Sequence, residues 1–157
     1  MKVLIKNSLL AGTKVPGAEP VDILIDGGRV RQIGPGIMDA EAGVIDARGK
    51  WVVPGLVDVH VHFREPGQEY KEDIRSGSRA AAAGGFTTVM AEPNTVPPVD
   101  TPDRVRSLLA AAREKSIVRF YTKAAITAGM EGEELADIAG LKAAGARAIS
   151  DDGHPVP

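Results

Sequence analysis

Two histidines two residues apart, His60 and His62, are the side chains of this sequence best suited to chemistry. They lie in the segment Asp58-Val59-His60-Val61-His62-Phe63-Arg64, in which polar and apolar residues alternate. In an extended strand, alternate residues point to opposite faces, so both imidazoles face one side together with Asp58 and Arg64. Imidazole is a good ligand for zinc and related divalent metals. The pattern therefore predicts a metal site at the end of a strand.

The composition limits the kinds of ligand and partner. The sequence has 157 residues, 43% hydrophobic and 25% charged, which is typical of a globular protein. It contains no cysteine, so His, Asp or Glu must bind any metal. The net charge of −2 gives no sign of nucleic-acid binding. There is no signal-peptide pattern, and no apolar run approaches the roughly 20 residues of a membrane span. We expect a soluble cytoplasmic protein that binds neither nucleic acid nor membrane.

The pattern of elements changes near residue 54. Residues 1–53 predict a small β domain in which Asp26-Gly27-Gly28 forms a hairpin turn. Its predicted strands are 3–5, 21–25, 29–33, 44–46 and 51–53. Residues 54–157 alternate between strands and helices, which predicts a parallel α/β sheet. The predicted strands are 56–63, 86–91, 117–124 and 146–150, and the predicted helices are 71–83, 102–115 and 132–143. If such strands close into an α/β barrel, the functional residues lie where the strands end.

Several motifs, of which the first contains the histidine pair, occur in a fixed order along the chain. They are Pro54–Gly67 itself, Tyr70-Lys71-Glu72-Asp73, the segment 80–89, Pro93-Asn94-Thr95 and Ser150-Asp151-Asp152-Gly153. Taken together they resemble the amidohydrolase superfamily, and specifically the bacterial class I dihydroorotases. A His-x-His pair alone is a weak signal, but its combination with Arg64 and the two turns is specific.

The resemblance implies a fold and an activity. Residues 54–157 would form about four strand–helix units of a metal-dependent (β/α)8 TIM-type barrel, and residues 1–53 an incomplete small β-sandwich. The family interconverts N-carbamoyl-L-aspartate and L-dihydroorotate in de novo pyrimidine biosynthesis. It takes its general-base aspartate and further histidine ligands from later strands. We therefore expect no general base within this chain, and we expect residues 1–157 alone to be inactive.

The resemblance also implies roles for particular residues. The metal ligands would be His60, His62 and Asp152, and they would bind one or two Zn²⁺ ions per complete site. Substrate contacts would come from His62, Arg64 and Asn94, although Arg64 could instead pair with Glu65 or Asp58. Alternation along the last strand predicts that Asp152 faces inward and that Asp151 faces the other way. The expected partners are the small-molecule substrate, further copies of the same chain and possible assembly with aspartate carbamoyltransferase.

Two other functions remain open at this stage. One is a different cyclic-amide hydrolase, such as an allantoinase or hydantoinase. Hydantoinases carry a carboxylated lysine at the position of Asp152, and allantoinases carry Pro-Leu-Asn at residues 93–95, so both differences favour dihydroorotase. The other is a non-catalytic homologue that serves as a structural partner of aspartate carbamoyltransferase.

Three further residues are notable. Glu92 stands where the family usually has Met, and it is either a harmless surface group or a charge that repels an anionic substrate. Lys123 lies on the wrong strand to serve as a carboxylated-lysine ligand. We interpret His154 as a solvated loop residue.

Overall fold

The computed structural model describes residues 1–12 and 19–156. The chain divides into two compact units, Met1–Pro54 and Gly55–Pro157.

The first unit is built on a five-stranded sheet. Its strands are β1 (Lys2–Leu10), β2 (Val21–Asp26), β3 (Arg29–Gly34), β4 (Gly43–Asp46) and β5 (Trp51–Val52). The order is β3-β2-β1-β4, and β5 pairs with the end of β1. β2 and β3 pair antiparallel across the predicted turn, where Gly27 and Gly28 have φ of 58° and 72°. A two-residue turn with positive φ at both positions matches the twist of a hairpin, and glycine adopts it without a steric penalty.

A buried carboxylate, Asp22, joins three parts of the first unit. Asp22 is 4% exposed and follows the first residue of β2. Its Oδ1 accepts a hydrogen bond from the backbone N–H of Asn7 at 3.0 Å, and its Oδ2 accepts one from the N–H of Ile37 at 3.0 Å. The ammonium of Lys6 lies 3.3 Å from the same Oδ2. The hydrogen bond from Asn7 is the main cause that lowers the pKa of Asp22, because it stabilises the charged form.

The second unit alternates strands and helices. Its strands are β6 (Leu56–Val61), β7 (Phe86–Ala91), β8 (Arg119–Ala124) and β9 (Ala148–Ile149), and its helices are α1 (Ile74–Ala83), α2 (Pro102–Lys115) and α3 (Ile138–Ala144). The strands form a parallel sheet in the order β6-β7-β8-β9. This confirms the predicted parallel α/β arrangement.

Apolar side chains between the helices and the sheet form the core of the second unit. Ile74, Val89, Val105, Ala124 and Leu141 are each 0% exposed, and they come from all three helices and two of the strands. Burial of each large aliphatic side chain contributes about 1.5–3 kcal/mol. The core therefore fixes the helices against the sheet and holds the strand ends in place.

The starts of α1 and α2 follow from their capping residues. The Oδ1 of Asp73 accepts a hydrogen bond from the N–H of Ser76 at 2.7 Å, so α1 begins at Ile74 and not at residue 71 as predicted. Thr101 caps α2, with Pro102 in the first turn, as the sequence predicts. Within the ranges described, no helix is long and apolar enough to cross a membrane.

The predicted helix over 132–143 is wrong in its first half. The chain forms a short 3₁₀ turn at Ala128–Met130, and α3 begins only after its cap, Asp137. Gly129 and Gly132 have φ of 63° and 78°, which a right-handed helix does not allow. The glutamates of this segment favour a helix by propensity, but the glycine conformations override it.

The ends of several predicted strands also shift. β6 ends at Val61 rather than 63, β8 begins at Arg119 rather than 117, and β9 is only Ala148–Ile149. Before β9, the N–H of Ala146 bonds to the carbonyl of Leu141 at 3.1 Å, and Gly145 has φ of 116°. These two residues complete the end of α3 and are therefore not available to the strand.

We predict that Asp22→Asn loosens the first unit at neutral pH. The lowered pKa of Asp22 means that its stabilisation is fully present above the usual pKa of an aspartate and is lost as the pH falls through the lower, folded value. Hydrogen exchange should show weaker protection of the Asn7 and Ile37 amides in the variant, and this difference should vanish below the folded pKa. Glu41→Gln is the control, because that side chain is 80% exposed. Unchanged protection in Asp22→Asn at neutral pH would contradict the assigned role.

Candidate metal centre

The predicted site residues come together at the carboxyl ends of the parallel strands. His60 is in β6 and His62 follows that strand directly. Asn94 lies three residues after the end of β7, and Asp152 lies three residues after the end of β9. Parallel strands bring these ends to one edge of the sheet, so residues distant in sequence become neighbours.

His60, His62 and Asp152 form a compact donor set. The Nε2 of His60 lies 3.7 Å from Oδ1 of Asp152, and the Nε2 of His62 lies 3.5 Å from Oδ2. The ligand atoms of all three residues lie within 4.8 Å of one another. Ligands about 2.1 Å from a tetrahedral ion are roughly 3.4 Å apart. The two imidazoles and the carboxylate thus fit a divalent metal in both chemistry and spacing.

Asn94 links two members of this set. Its Oδ1 lies 3.0 Å from Nδ1 of His62, and its Nδ2 donates a hydrogen bond to Oδ2 of Asp152 at 3.2 Å. Because the amide oxygen is an acceptor, His62 must donate from Nδ1, which leaves its Nε2 lone pair directed at the donor set. The amide therefore orients one imidazole and the carboxylate at once.

Arg64 borders the donor set. Its Nη1 donates to the carbonyl oxygen of Asn94 at 3.3 Å and approaches Oδ1 of the same residue at 3.4 Å. The side chain is partly buried. Glu65, the alternative partner considered above, instead binds Lys115, and its Oε2 accepts from the N–H of Ile74 at 3.2 Å. The hydrogen bond to Glu65 raises the pKa of Lys115. Glu65 thus anchors the loop that carries Arg64.

The loops that follow β6 and β7 are in direct contact. The N–H of Val96 donates to the carbonyl of Pro66 at 3.1 Å. Gly67 has φ of 95°, and a Cβ at this position would lie 1.8 Å from the carbonyl oxygen of Val96. Only glycine allows both this conformation and this approach. Arg64 and Asn94 are therefore carried by two loops with a fixed separation.

The two aspartates after β9 have different environments. Asp151 is 4% exposed, and its carboxylate accepts from the N–H of Ile126 at 2.7 Å and from the hydroxyl of Thr127 at 2.5 Å. Asp152 is only partly buried and faces the histidines. His154 is exposed, and its backbone N–H bonds to the carbonyl of Asp151 at 2.7 Å.

Glu92 is not a surface group, contrary to the first of the two readings from sequence. It is 1% exposed, its Oε1 is paired with the ammonium of Lys123, and the same oxygen lies 3.3 Å from Nδ1 of His60. The positive charge of Lys123 offsets the charge of the Glu92 carboxylate, which argues against the second reading, in which Glu92 repels an anionic substrate. This contact was not predicted from the sequence. It follows from the pairing of Ala91 with Thr122 in the sheet, which brings Glu92, directly after β7, beside Lys123 of β8.

The family of this chain follows from its sequence match. Residues 49–157 match the model of a family described as dihydro-orotase-like. The chain belongs to the dihydroorotase-like family. The match includes all the residues of the donor set described above.

Curated relatives agree with this assignment. The chain is 48% identical over 156 residues to a dihydroorotase of Syntrophotalea carbinolica, and the alignment covers 99% of this chain and 37% of that protein. It is 44% identical over 156 residues to a dihydroorotase of Aquifex aeolicus, with the same two coverages. The chain thus spans little more than a third of the length of these relatives.

Solved structures confirm the fold. An L-hydantoinase (dihydropyrimidinase) from Arthrobacter aurescens superimposes with a TM-score of 0.78 at 31% identity, over 94% of this chain and 32% of that one. A D-hydantoinase superimposes with a TM-score of 0.68 at 29% identity, over 81% of this chain and 28% of that one. The four parallel strands with their helices are thus part of an amidohydrolase (β/α)8 barrel, as predicted.

We predict that substitution of the two neighbouring aspartates changes the free energy of unfolding by different amounts. Asp151→Asn should destabilise the metal-free protein by about 1–3 kcal/mol, because an amide nitrogen would face buried donors that now bond to a carboxylate. Asp152→Asn should change stability by less than about 0.5 kcal/mol, because the side chain is partly solvated. Denaturant unfolding of the two variants measures the difference. Equal stabilities would show that the carboxylate network of Asp151 has been misread.

Proposed function

We propose that the protein to which this chain belongs is a dihydroorotase, which reversibly cyclises N-carbamoyl-L-aspartate to L-dihydroorotate with the aid of a divalent metal. The observation that carries this proposal is the convergence of His60, His62 and Asp152 beside Arg64 in a chain of the dihydroorotase-like family. Zinc is the first choice of metal, with one or two ions, because imidazole and carboxylate are its usual ligands in the absence of thiolates.

The chain's own residues supply two parts of the proposed reaction. A divalent metal supplies the Lewis acidity that opening or closing a cyclic amide requires. His60 and His62 present Nε2, and Asp152 presents its carboxylate, so these three side chains would hold the ion. No general base is assigned within residues 1–157. The proposal therefore concerns the whole protein and not this chain alone.

Arg64 is proposed to bind the substrate carboxylate. A guanidinium offers a planar set of donors that matches a carboxylate, and it keeps its charge at neutral pH. Nη1 of Arg64 already contacts Asn94, so the cation is held at the border of the donor set. Asn94 and His62 are proposed to complete the substrate contacts, in addition to orienting one another.

Hydrolysis of a hydantoin is the second candidate, and the structural similarity to the L-hydantoinase favours it. Two observations favour dihydroorotase over it. The sequence identity to the dihydroorotases is 44–49%, against 31% to that hydantoinase. The residue among the ligands is Asp152, whereas the resemblance assigns a carboxylated lysine there to hydantoinases. Comparison of turnover on dihydroorotate, hydantoin and allantoin separates the two, and faster hydrolysis of either alternative ring would refute the dihydroorotase proposal.

The remaining parts of the proposal concern the cellular setting. We place the protein in pyrimidine biosynthesis in the cytoplasm, as a homo-oligomer that can assemble with aspartate carbamoyltransferase. A non-catalytic homologue that serves only as a structural partner in such an assembly would turn over no cyclic amide. The same comparison of substrates therefore tests this alternative.

The metal ligands can be tested by joint removal of the two imidazoles. The double variant His60→Ala, His62→Ala of the whole protein should lose its bound zinc, because two of the proposed ligands are removed at once. Atomic absorption after gel filtration gives the metal stoichiometry. His154→Ala is the matched control, because that histidine is exposed and outside the donor set. Undiminished zinc in the double variant would refute the metal centre.

The substrate contact can be tested with Arg64→Met. We expect kcat/KM for dihydroorotate to fall roughly thirtyfold, because the substrate carboxylate loses its charged partner. This corresponds to a loss of about 2 kcal/mol in transition-state binding. Zinc stoichiometry should stay unchanged. Arg106→Met is the control, since that side chain is 58% exposed on α2. Wild-type kcat/KM in Arg64→Met would exclude a carboxylate-binding role.

A further inference from the structure

A buried ion pair lies directly behind the candidate metal centre. The side chain of Glu92 is fully buried, and that of Lys123 is 16% exposed. Ala91, the last residue of β7, pairs with Thr122 of β8, so Glu92, which directly follows β7, lies beside Lys123 of β8. Backbone pairing of the two strands therefore brings the two side chains close together.

The pair contacts one of the candidate ligands on its far side. Oε1 of Glu92 lies 3.3 Å from Nδ1 of His60, while Nε2 of the same ring lies 3.7 Å from Asp152. A carboxylate accepts hydrogen bonds only, and the oxygen of Glu92 lies closer to the ring than that of Asp152, so the shorter contact favours the proton of a neutral His60 on Nδ1 and its lone pair on Nε2. The contact thus selects the tautomer in which His60 can bind a metal.

The two histidines have similar surroundings, with a different acceptor beside each Nδ1. Nδ1 of His62 faces the amide oxygen of Asn94, and Nδ1 of His60 faces the carboxylate of Glu92. Both Nε2 atoms face Asp152. Each imidazole therefore has one nitrogen directed at the donor set and the other directed at an acceptor.

Stability alone does not account for this ion pair. Replacement of a buried pair by apolar residues is often neutral or stabilising, because desolvation offsets the attraction between the charges. Oε2 of Glu92 is also buried and has no hydrogen-bond partner among the described residues, which adds to the cost. The contact with His60 gives a functional reason for a charged pair at this position.

We propose that Glu92, held by Lys123, is a positioning residue that fixes the ring and the tautomer of His60 for metal binding. The inference rests on the proposed metal centre. Acceptors that bond to the second nitrogen of a metal-binding histidine typically change metal affinity by about 10–100-fold. Glu92 itself is not a member of the donor set of His60, His62 and Asp152 among the described residues, and its Oε1 contacts Lys123 and His60.

Two double variants of the whole protein test this role. Glu92→Met with Lys123→Met removes the acceptor without leaving a lone buried charge, and we expect the zinc dissociation constant to rise by roughly 10–100-fold. Glu92→Gln with Lys123→Met keeps a neutral acceptor for Nδ1, and the rise should be less than about tenfold. Competition with a chelator measures both constants. Denaturant unfolding of the metal-free proteins should show similar stability. If the pair had a purely structural role, a loss of zinc affinity would be accompanied by a loss of stability.

Wild-type zinc affinity in the Met-Met variant would overturn the proposal, and so would an equal loss in both variants. A measurement on the unmodified protein covers the case in which a variant does not fold. The imidazole ¹⁵N shifts of metal-free His60, assigned by comparison with His60→Ala, should show the proton on Nδ1, and a proton on Nε2 of the neutral ring would refute the inference. Full zinc binding in His60→Ala, His62→Ala would instead refute the metal centre itself, so the two failures are distinguishable.

Discussion

Parallel pairing of β6, β7, β8 and β9 is the constraint on which the candidate site depends. All four strands run in one direction, so their carboxyl ends lie along one edge of the sheet. His62, Asn94 and Asp152 each follow a strand end within three residues, and the sheet alone brings them within hydrogen-bonding reach. The helices contribute by burying one face of the sheet, and their apolar contacts stabilise the register that the site requires.

Burial of charged side chains at the carboxyl-terminal edge of this sheet costs free energy and so opposes the stability that the apolar core supplies. Glu92 and Asp151, just beyond the strands, are buried, Lys123 of β8 is largely buried, and each carries a desolvation cost. Asp151 recovers it through bonds to backbone and hydroxyl donors, and so acts structurally. Glu92 offsets this cost only in part, since its Oε2 has no hydrogen-bond partner within the part of the chain that the structure describes. Two carboxylates close to one edge thus have different purposes, and the set of donors around each distinguishes them.

The sequence predicted the elements where one local signal was decisive. The Thr101-Pro102 start gave α2, and alternation around His60 gave β6 to within two residues. It failed at the start of α3, where glutamates favour a helix and the positive φ of Gly132 is not helical. The grouping of His60, His62 and Asp152 was implied by the resemblance to the dihydroorotases. The contact of Glu92 with Lys123 was not predicted, because it needs the register between two strands, and the sequence pattern gives only the order of strands.

Gly67 has a consequence for how this architecture can be varied. Its missing side chain lets two loops meet at a distance that no other residue allows, and the backbone bond from Val96 to Pro66 closes the same contact. Neither loop can gain or lose a residue there without moving the other. Diversification of specificity by insertion, which loops on barrels generally tolerate, is therefore blocked between Arg64 and Asn94. New specificities on this scaffold would have to arise by exchange of side chains within a backbone of constant length.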